Sequence, residues 1–433
     1  RKQNLKGFIE AEANEFITGL VRGEWGEGSM DGNKTDGLKL LDGELDLGFK
    51  STPTVFEIAM GFQDRFGRAI DYTNLRPEDN GRLVASLVQE IKRAVKLHPE
   101  ALGWYDENLN LAMDVMRDLD PDLAKPENNF IFKAILAATS DGNKVGPQFK
   151  QTWQEYSHWK KHHQIYGGFV SGDRGENIRL NLGMLNDLIA HVGWEQTRDF
   201  MVRKGTVAEL RQALVDVYGW TKEEANKIGT AERIDERVPF AIVLGPKLGS
   251  FFANLYGDYS SVTMDRWFMR TIGRLTGTLA ALLPEGKLRE MRNRLRDAVS
   301  KLTPEQFSLL NIPRGRLVGS GINDSATTIS GRFAKKELRE VAQQLEESGQ
   351  PALVDVRLAA NALKKGLKPM AEAPDNGTHR RWIRERVDEV QQILKADGIE
   401  MENADLQAVL WYLEKELYEK LKYIIKTIHR RAY

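Results

Sequence analysis

The chain has 433 residues, 41% of them apolar and nine of them Trp, which is enough for two or three domains with a substantial core. Lys and Arg (62) balance Asp and Glu (62), so bulk charge carries no sign of a nucleic-acid partner, and the absence of cysteine excludes disulfides and any cysteine-ligated iron–sulfur cluster. No apolar run reaches membrane-spanning length and no secretory signal is visible; a soluble protein of a reducing compartment is expected, in the cytoplasm of a bacterial or phage-infected cell, with no membrane partner.

The first residue is Arg1 rather than Met, which leaves open whether the chain is a processed or excised piece of something longer. Residues 2–21 have the spacing of an amphipathic helix, and 23–48 are rich in Gly and Asp without a sustained period, which predicts a long loop or extended arm. GEGSMDGNKTDG offers oxygen ligands but lacks the spacing and terminal Glu of a calcium loop. Helices dominate from Pro53 onward: residues 52–67, then 77–98 with Leu83, Leu87, Ile91 and Val95 on one face, then 98–119. Trp104 and Tyr105 are either a base-stacking pair or helix packing, and packing is the commoner use of such a pair.

The apolar helix NFIFKAILAAT runs into the turn SDGNKVG and then into a second helix. Within SHWKKHHQIY, His158 and His162 stand at i and i+4, half of a metal site at most; a polar surface or a DNA-contacting loop fits the stretch better, and no metal is expected. Helices follow over GMLNDLIAHVGWEQTRDFMV and TVAELRQALVDVYG, the latter opened by Thr206 and Glu209 at capping-box spacing.

The stretch from Val238 to Thr276 reads as helix, Gly-containing hairpin, helix, short loop, and a further helix opened by an acid. The hairpin VLGPKLG can aim orphan amides and a helix N-terminus at a phosphate. Lys247 sits on it, and Asp265 lies 18 residues later at the start of DRWFMRTIGRL. This constellation resembles the helix-hairpin-helix DNA glycosylases with a Gly/Pro-rich loop and catalytic Asp, the superfamily of endonuclease III, MutY and 8-oxoguanine glycosylase. The resemblance covers residues 128–277, and the Lys-to-Asp interval is that of the bifunctional members. It departs at Val243, where the family usually has a first hairpin glycine, and at Pro246, which removes an amide.

The resemblance implies Lys247 as nucleophile, Asp265 as the essential carboxylate, and Gly245 and Gly249 as hairpin glycines. It also implies that the loop after NFIFKAILAAT fills the stack when a base leaves it, which singles out Asn143 as the wedge and Lys144 for phosphate. Arg266 and Arg270 are candidates for phosphate contact or for a buried ion pair. Residues 243–300 carry nine Lys/Arg against five Asp/Glu, and 1–60 carry seven against eleven, so basic charge collects on the half that would meet DNA.

Beyond Thr276, TLAALLPEGKLREMRNRLRDAVSKL predicts two helices with an arginine-rich face, and the Gly/Ser/Asn-rich stretch after residue 301 predicts a linker followed by three helical segments. HRRWIRER (His379 to Arg386) extends a DNA track or forms a solvated helix face. In the last helix Leu406, Val409, Leu410, Leu413, Leu417, Leu421 and Ile424 share a stripe that fits a core or a docking surface. Three stretches, DLQAVLWYLEKELY, ALGWYDENLNLAM and ILAATSDGNKV, resemble segments of large multidomain proteins of bacteriophages and mobile elements.

The expected architecture is all-α: an N-terminal arm and helices (1–95), a two-lobed glycosylase-like domain (96–300) and a C-terminal helical domain (301–433). The expected activity is cleavage of an N-glycosidic bond in DNA with no cofactor, the target base and oligomeric state being open. The competing reading is a non-catalytic helix-hairpin-helix DNA-binding module.

Overall fold

A computed structural model describes residues 69–431, apart from 142–144, 171–174, 281–282, 320, 334–335, 368–369 and 371. The expected helices over 2–21 and 52–67, the Gly/Asp-rich arm, and Asn143 and Lys144 lie outside the described residues. What is described is all-α except for a two-stranded antiparallel ribbon. No described helix is long and apolar enough to cross a membrane.

The chain forms two compact units. Residues 69–276 and 372–431 build the first, and residues 277–370 the second, so the cuts fall elsewhere than at the expected 96–300 and 301–433 boundaries. The expected C-terminal domain, 301–433, is divided because its last two helices close back onto the first described helix, Asp79–Leu97.

In the first unit α1 (Asp79–Leu97), α2 (Leu109–Leu119), α3 (Pro126–Thr139) and α4 (Val145–His162) lead to α5 (Gly175–Val192), α6 (Trp194–Val202), α7 (Val207–Tyr218) and α8 (Lys222–Asn226). α3 is buried almost all round, from Phe130 to Thr139, as its apolar run dictates. Its few polar ends are satisfied internally: the Thr139 and Thr152 hydroxyls meet at 2.9 Å, and Gln148 Nε2 donates to the Leu136 carbonyl at 2.9 Å. The capping box predicted at Thr206 and Glu209 is present in full. Just before it, β1 (Lys204–Thr206) pairs with β2 (Arg237–Pro239), Gly205 opposite Val238. Trp104 and Tyr105 pack edge to face, centroids 4.7 Å apart, with Tyr105 in the core rather than offered to a base.

The site region continues through α9 (Pro246–Leu255) and α10 (Arg266–Thr276). α16 (Gly377–Ala396) and α17 (Asn403–Arg431) complete the unit. The stripe on α17 is core as far as its side chains are described: Leu406, Val409, Leu410, Leu413 and Leu417 are all buried. Between these helices lies a buried charge cluster. Arg274 on α10 donates to Glu414 on α17 through Nε (3.1 Å) and Nη2 (2.8 Å), and through Nη1 to Glu90 on α1 (2.9 Å). The Thr271 hydroxyl adds a bond to Glu414 at 3.1 Å.

The second unit packs α11 (Glu285–Ser300), α12 (Pro304–Leu310), α13 (Gly321–Phe333), α14 (Lys336–Glu347) and α15 (Ala352–Leu367). Two expectations are corrected here. The stretch after Thr276 forms one described helix, not two: Pro284 immediately precedes α11 and disfavours helical backbone at Leu283. The Gly/Ser/Asn-rich segment is not a linker: GINDSATTISGRF is α13, and Ile322, Ala326, Ile329 and Phe333 at helical spacing bury one face of it. Four helices, α14 to α17, therefore follow it rather than three.

Glu414 is fully buried, so Arg274→Ala leaves a carboxylate there without its cation and is expected to cost about 3–5 kcal/mol. Urea unfolding checks this, and adding Glu414→Gln is expected to recover part of the loss.

Candidate functional site

The hairpin is built by a strand, a turn and two glycines. The chain stays extended through Pro239, where β2 is tied back by Phe240 N–H donating to the Arg203 carbonyl at 2.8 Å. Only Phe240–Leu244 remain before α9, so the first arm is a 3-10 turn instead of the helix expected. Gly245 then takes φ +100° and ψ 154°, open to glycine but not to side-chain-bearing residues. Pro246 occupies the first position of α9, where a missing N–H removes nothing the helix would use. Gly249 is required by proximity: a Cβ there would lie 2.4 Å from Ile242 N. The two glycines thus let α9 ride directly on the turn that precedes it.

The N-terminus of α9 has no side-chain cap and opens on a cleft of about 490 Å³, whose wall includes Gly245, Pro246, Lys247 and Leu248. Lys247 is partly exposed there. Its Nζ lies 3.3 Å from the Ser140 carbonyl and 3.5 Å from Asp141 Oδ1, at the end of α3, so the start of the loop predicted to hold the wedge does reach the hairpin lysine. Asp265 caps α10, Oδ1 accepting from Phe268 N–H at 2.8 Å. Burial pushes its carboxyl upward, against the pull of the α10 amides, of the Lys247 charge and of the Gln407 side chain. The structure thus brings Lys247 and Asp265 into electrostatic reach of each other, but with different aspects. Met264 and Arg266, on either side of Asp265, help form the cleft wall, whereas Asp265 turns toward the helix amides and a buried polar group. In that group Tyr105 donates to Gln407 Oε1 (2.9 Å) and Asn254 to the Thr263 hydroxyl (3.2 Å), while burial, followed by the Asp265 charge, pushes the Tyr105 hydroxyl upward.

Arg266 reaches the cleft and pairs with Glu372 at 3.4 Å. Arg270, a candidate for phosphate or for a buried pair, takes the second place: it is buried, bonds Glu372 at 2.5 Å, and lies over the rings of Trp267 (4.6 Å) and Tyr418 (5.2 Å). Of the two uses considered for Arg270, the structure therefore shows the ion pair.

A further part of the cleft wall, with Glu232, Arg380 and Arg384, carries paired charge. Glu232 and Glu236 receive the arginines of HRRWIRER: Arg380 and Arg384 bond Glu232, and Arg381 and Arg384 bond Glu236. Three of the four arginines of that patch are thus paired rather than freely solvated. Residues four apart on each side match, yet nearly 150 residues of chain separate the partners, and a single sequence holds no signal joining them. Among the described residues no group of His, Asp and Glu could hold a metal ion.

Compared with known protein families, curated proteins and solved structures, the chain matches none of them.

The raised Asp265 carboxyl makes a pH prediction. A folded pKa above the unfolded value of about 3.9 means that the native state holds the proton longer, so this contribution to stability is full at low pH and is lost as pH rises through the folded value. Asp265→Asn removes that dependence. Urea midpoints measured from pH 4 to 7, within the range where carboxyls titrate, are expected to show the variant gaining on wild type as pH rises.

Proposed function

We propose that the protein excises a base from DNA in the manner of the helix-hairpin-helix glycosylases. The observation that carries the reading is Lys247 on the cleft at the opening of α9, with Asp265 opening α10 within reach of its charge. The cleft supports it further: Ile242, Leu244, Leu248, Val262 and Met264 supply apolar wall for a ring, and Lys204, Arg237 and Arg266 supply cations for the backbone around it. A base inside a duplex must be extruded before its C1′ is accessible. The Lys247 ammonium first sheds a proton, for which Asp141 at 3.5 Å is a placed acceptor. The amine then attacks C1′, and the glycosidic bond breaks with its electron pair going to the base, which takes up a proton. The sugar ring opens to a Schiff base on Lys247. Loss of a C2′ proton then expels the 3′ phosphate and nicks the strand. Asp265 stabilises the positive charge that grows on the sugar in the first step.

A second reading, a DNA-binding module without catalysis, is favoured by one observation: the Asp265 carboxylate turns to the α10 amides rather than into the cleft.

Mass-spectrometric detection of free base from duplexes carrying uracil, oxidised, alkylated or hypermodified bases separates the two. Asp265→Asn is expected to lower base release by about 10²–10⁴-fold, the scale of a lost charge-stabilising or proton-moving group, with DNA affinity retained. Equal release by wild type and Asp265→Asn would remove the catalytic assignment. Release that survives Lys247→Ala but not Asp265→Asn would mean that water, directed by Asp265, is the nucleophile.

A further inference from the structure

The loop after α4, residues 163–170, is held from the inside. Glu155 is fully buried, and its carboxylate accepts hydrogen bonds from the amides of Tyr166 (3.0 Å), Gly167 (2.8 Å) and Phe169 (3.1 Å). Asn186 on α5 clamps Ile165, accepting from its N–H at 2.9 Å and donating to its carbonyl at 2.6 Å. His158 Nδ1 meets the Gln164 carbonyl at 2.9 Å. Gly167 takes φ +71°, and a Cβ on Gly168 would stand 1.9 Å from the Tyr166 ring. A buried carboxylate is costly unless its bonds are satisfied, and every backbone amide bonded here belongs to one short loop.

What that loop holds up is aromatic and exposed. Tyr166 is 62% exposed and Phe169 38%, in a unit whose other large apolar side chains mostly lie inside. The two rings are 5.5 Å apart, His158 stacks on Tyr166 at 5.1 Å and 27°, and His162 lies 4.3 Å from His158. Residues 156–170 contain no acid, and Lys161, His162 and His163 are exposed in the same stretch. Lys160 is committed to Asp120 at 2.7 Å. Rings held rigid over a buried carboxylate whose bonds are taken up by the loop amides, with Lys161 exposed in the same stretch, suit a polymer that alternates flat apolar faces with negative charge. Duplex DNA hides its base faces in the stack; unpaired nucleotides present them.

We propose that this loop is a stacking platform for single-stranded DNA, Tyr166 and Phe169 receiving bases and Lys161, His162 and His163 meeting the backbone. Its rigidity is the functional point, because rings already in place lose little freedom when a base arrives. The platform goes beyond base excision and is tested on strands that contain no target base, so loss of either reading leaves the other standing.

The test is fluorescence anisotropy of the full chain with labelled oligo(dT) of about 15 nucleotides, a length within the range such surfaces cover. Tyr166→Ala is expected to weaken binding on the order of 10-fold and Tyr166→Ala with Phe169→Ala on the order of 100-fold, the scale of stacking lost per base. Tyr166→Phe, which keeps the ring face, is expected to bind within about twofold of wild type, and Tyr166→Leu, which keeps apolar area without a ring, to lose as much as alanine. Circular dichroism spectra and melting temperatures that match wild type separate these losses from misfolding. Failure of wild type to bind oligo(dT), wild-type affinity in the double alanine variant, or equal losses for Tyr166→Phe and Tyr166→Ala would each overturn the proposal.

Discussion

The buried guanidinium of Arg274 fixes the frame on which the site depends. It stands between Glu414 and Glu90, joining α10 to α17 and to α1, and Glu414 has no exposed surface from which to recruit water instead. A charge buried this way tolerates few rotations or shifts of its helix, since each displacement strips a carboxylate of its cation. α10 is therefore locked along its length by Arg274, at its side by the Arg270–Glu372 pair, and at its start by the Asp265 cap. The C-terminal segment is a structural member of the site: Gln407 on α17 stands beside Asp265, and Glu372, just before α16, answers both Arg266 and Arg270.

Against that frame the cleft shows a division of labour. One side is backbone geometry, two glycines and a proline letting α9 begin at the cleft with an uncapped N-terminus. Another part of its wall is charge, with Glu232 holding Arg380 and Arg384 of α16. Cations that are already paired act on an approaching phosphate with less force than free ones, because the phosphate must compete with a carboxylate at the same nitrogens. The same balance appears in the sequence as a whole, where 62 basic residues meet 62 acidic ones.

Local features were the readable ones. The Leu83, Leu87, Ile91 face of α1, the Thr206–Glu209 capping box and the Leu406–Leu417 stripe of α17 depend on residues a few positions apart, and each is found in the structure where periodicity or spacing puts it. Gly245 and Gly249 were readable as a hairpin, though the strand pairing that shortens its first arm to a 3-10 turn was not, since a three-residue strand leaves no alternating pattern. α13 was misread because Gly, Ser, Asn and Thr outweigh Ile322, Ile329 and Phe333 in local composition, while tertiary burial of that narrow apolar face decides the outcome. The ion pairs of the cleft wall and the fate of Arg270 join residues a hundred or more positions apart; they arise from packing and were beyond the reach of spacing.

The most direct measurement of the central claim is borohydride reduction of the protein on duplexes bearing candidate bases, followed by peptide mapping of any protein–DNA adduct. A Schiff base at Lys247 is the expected result, with the adduct absent from Lys247→Ala and the reactive duplex naming the substrate. An adduct on another lysine, or the absence of any adduct together with the absence of free base across the panel, would contradict base excision at this cleft.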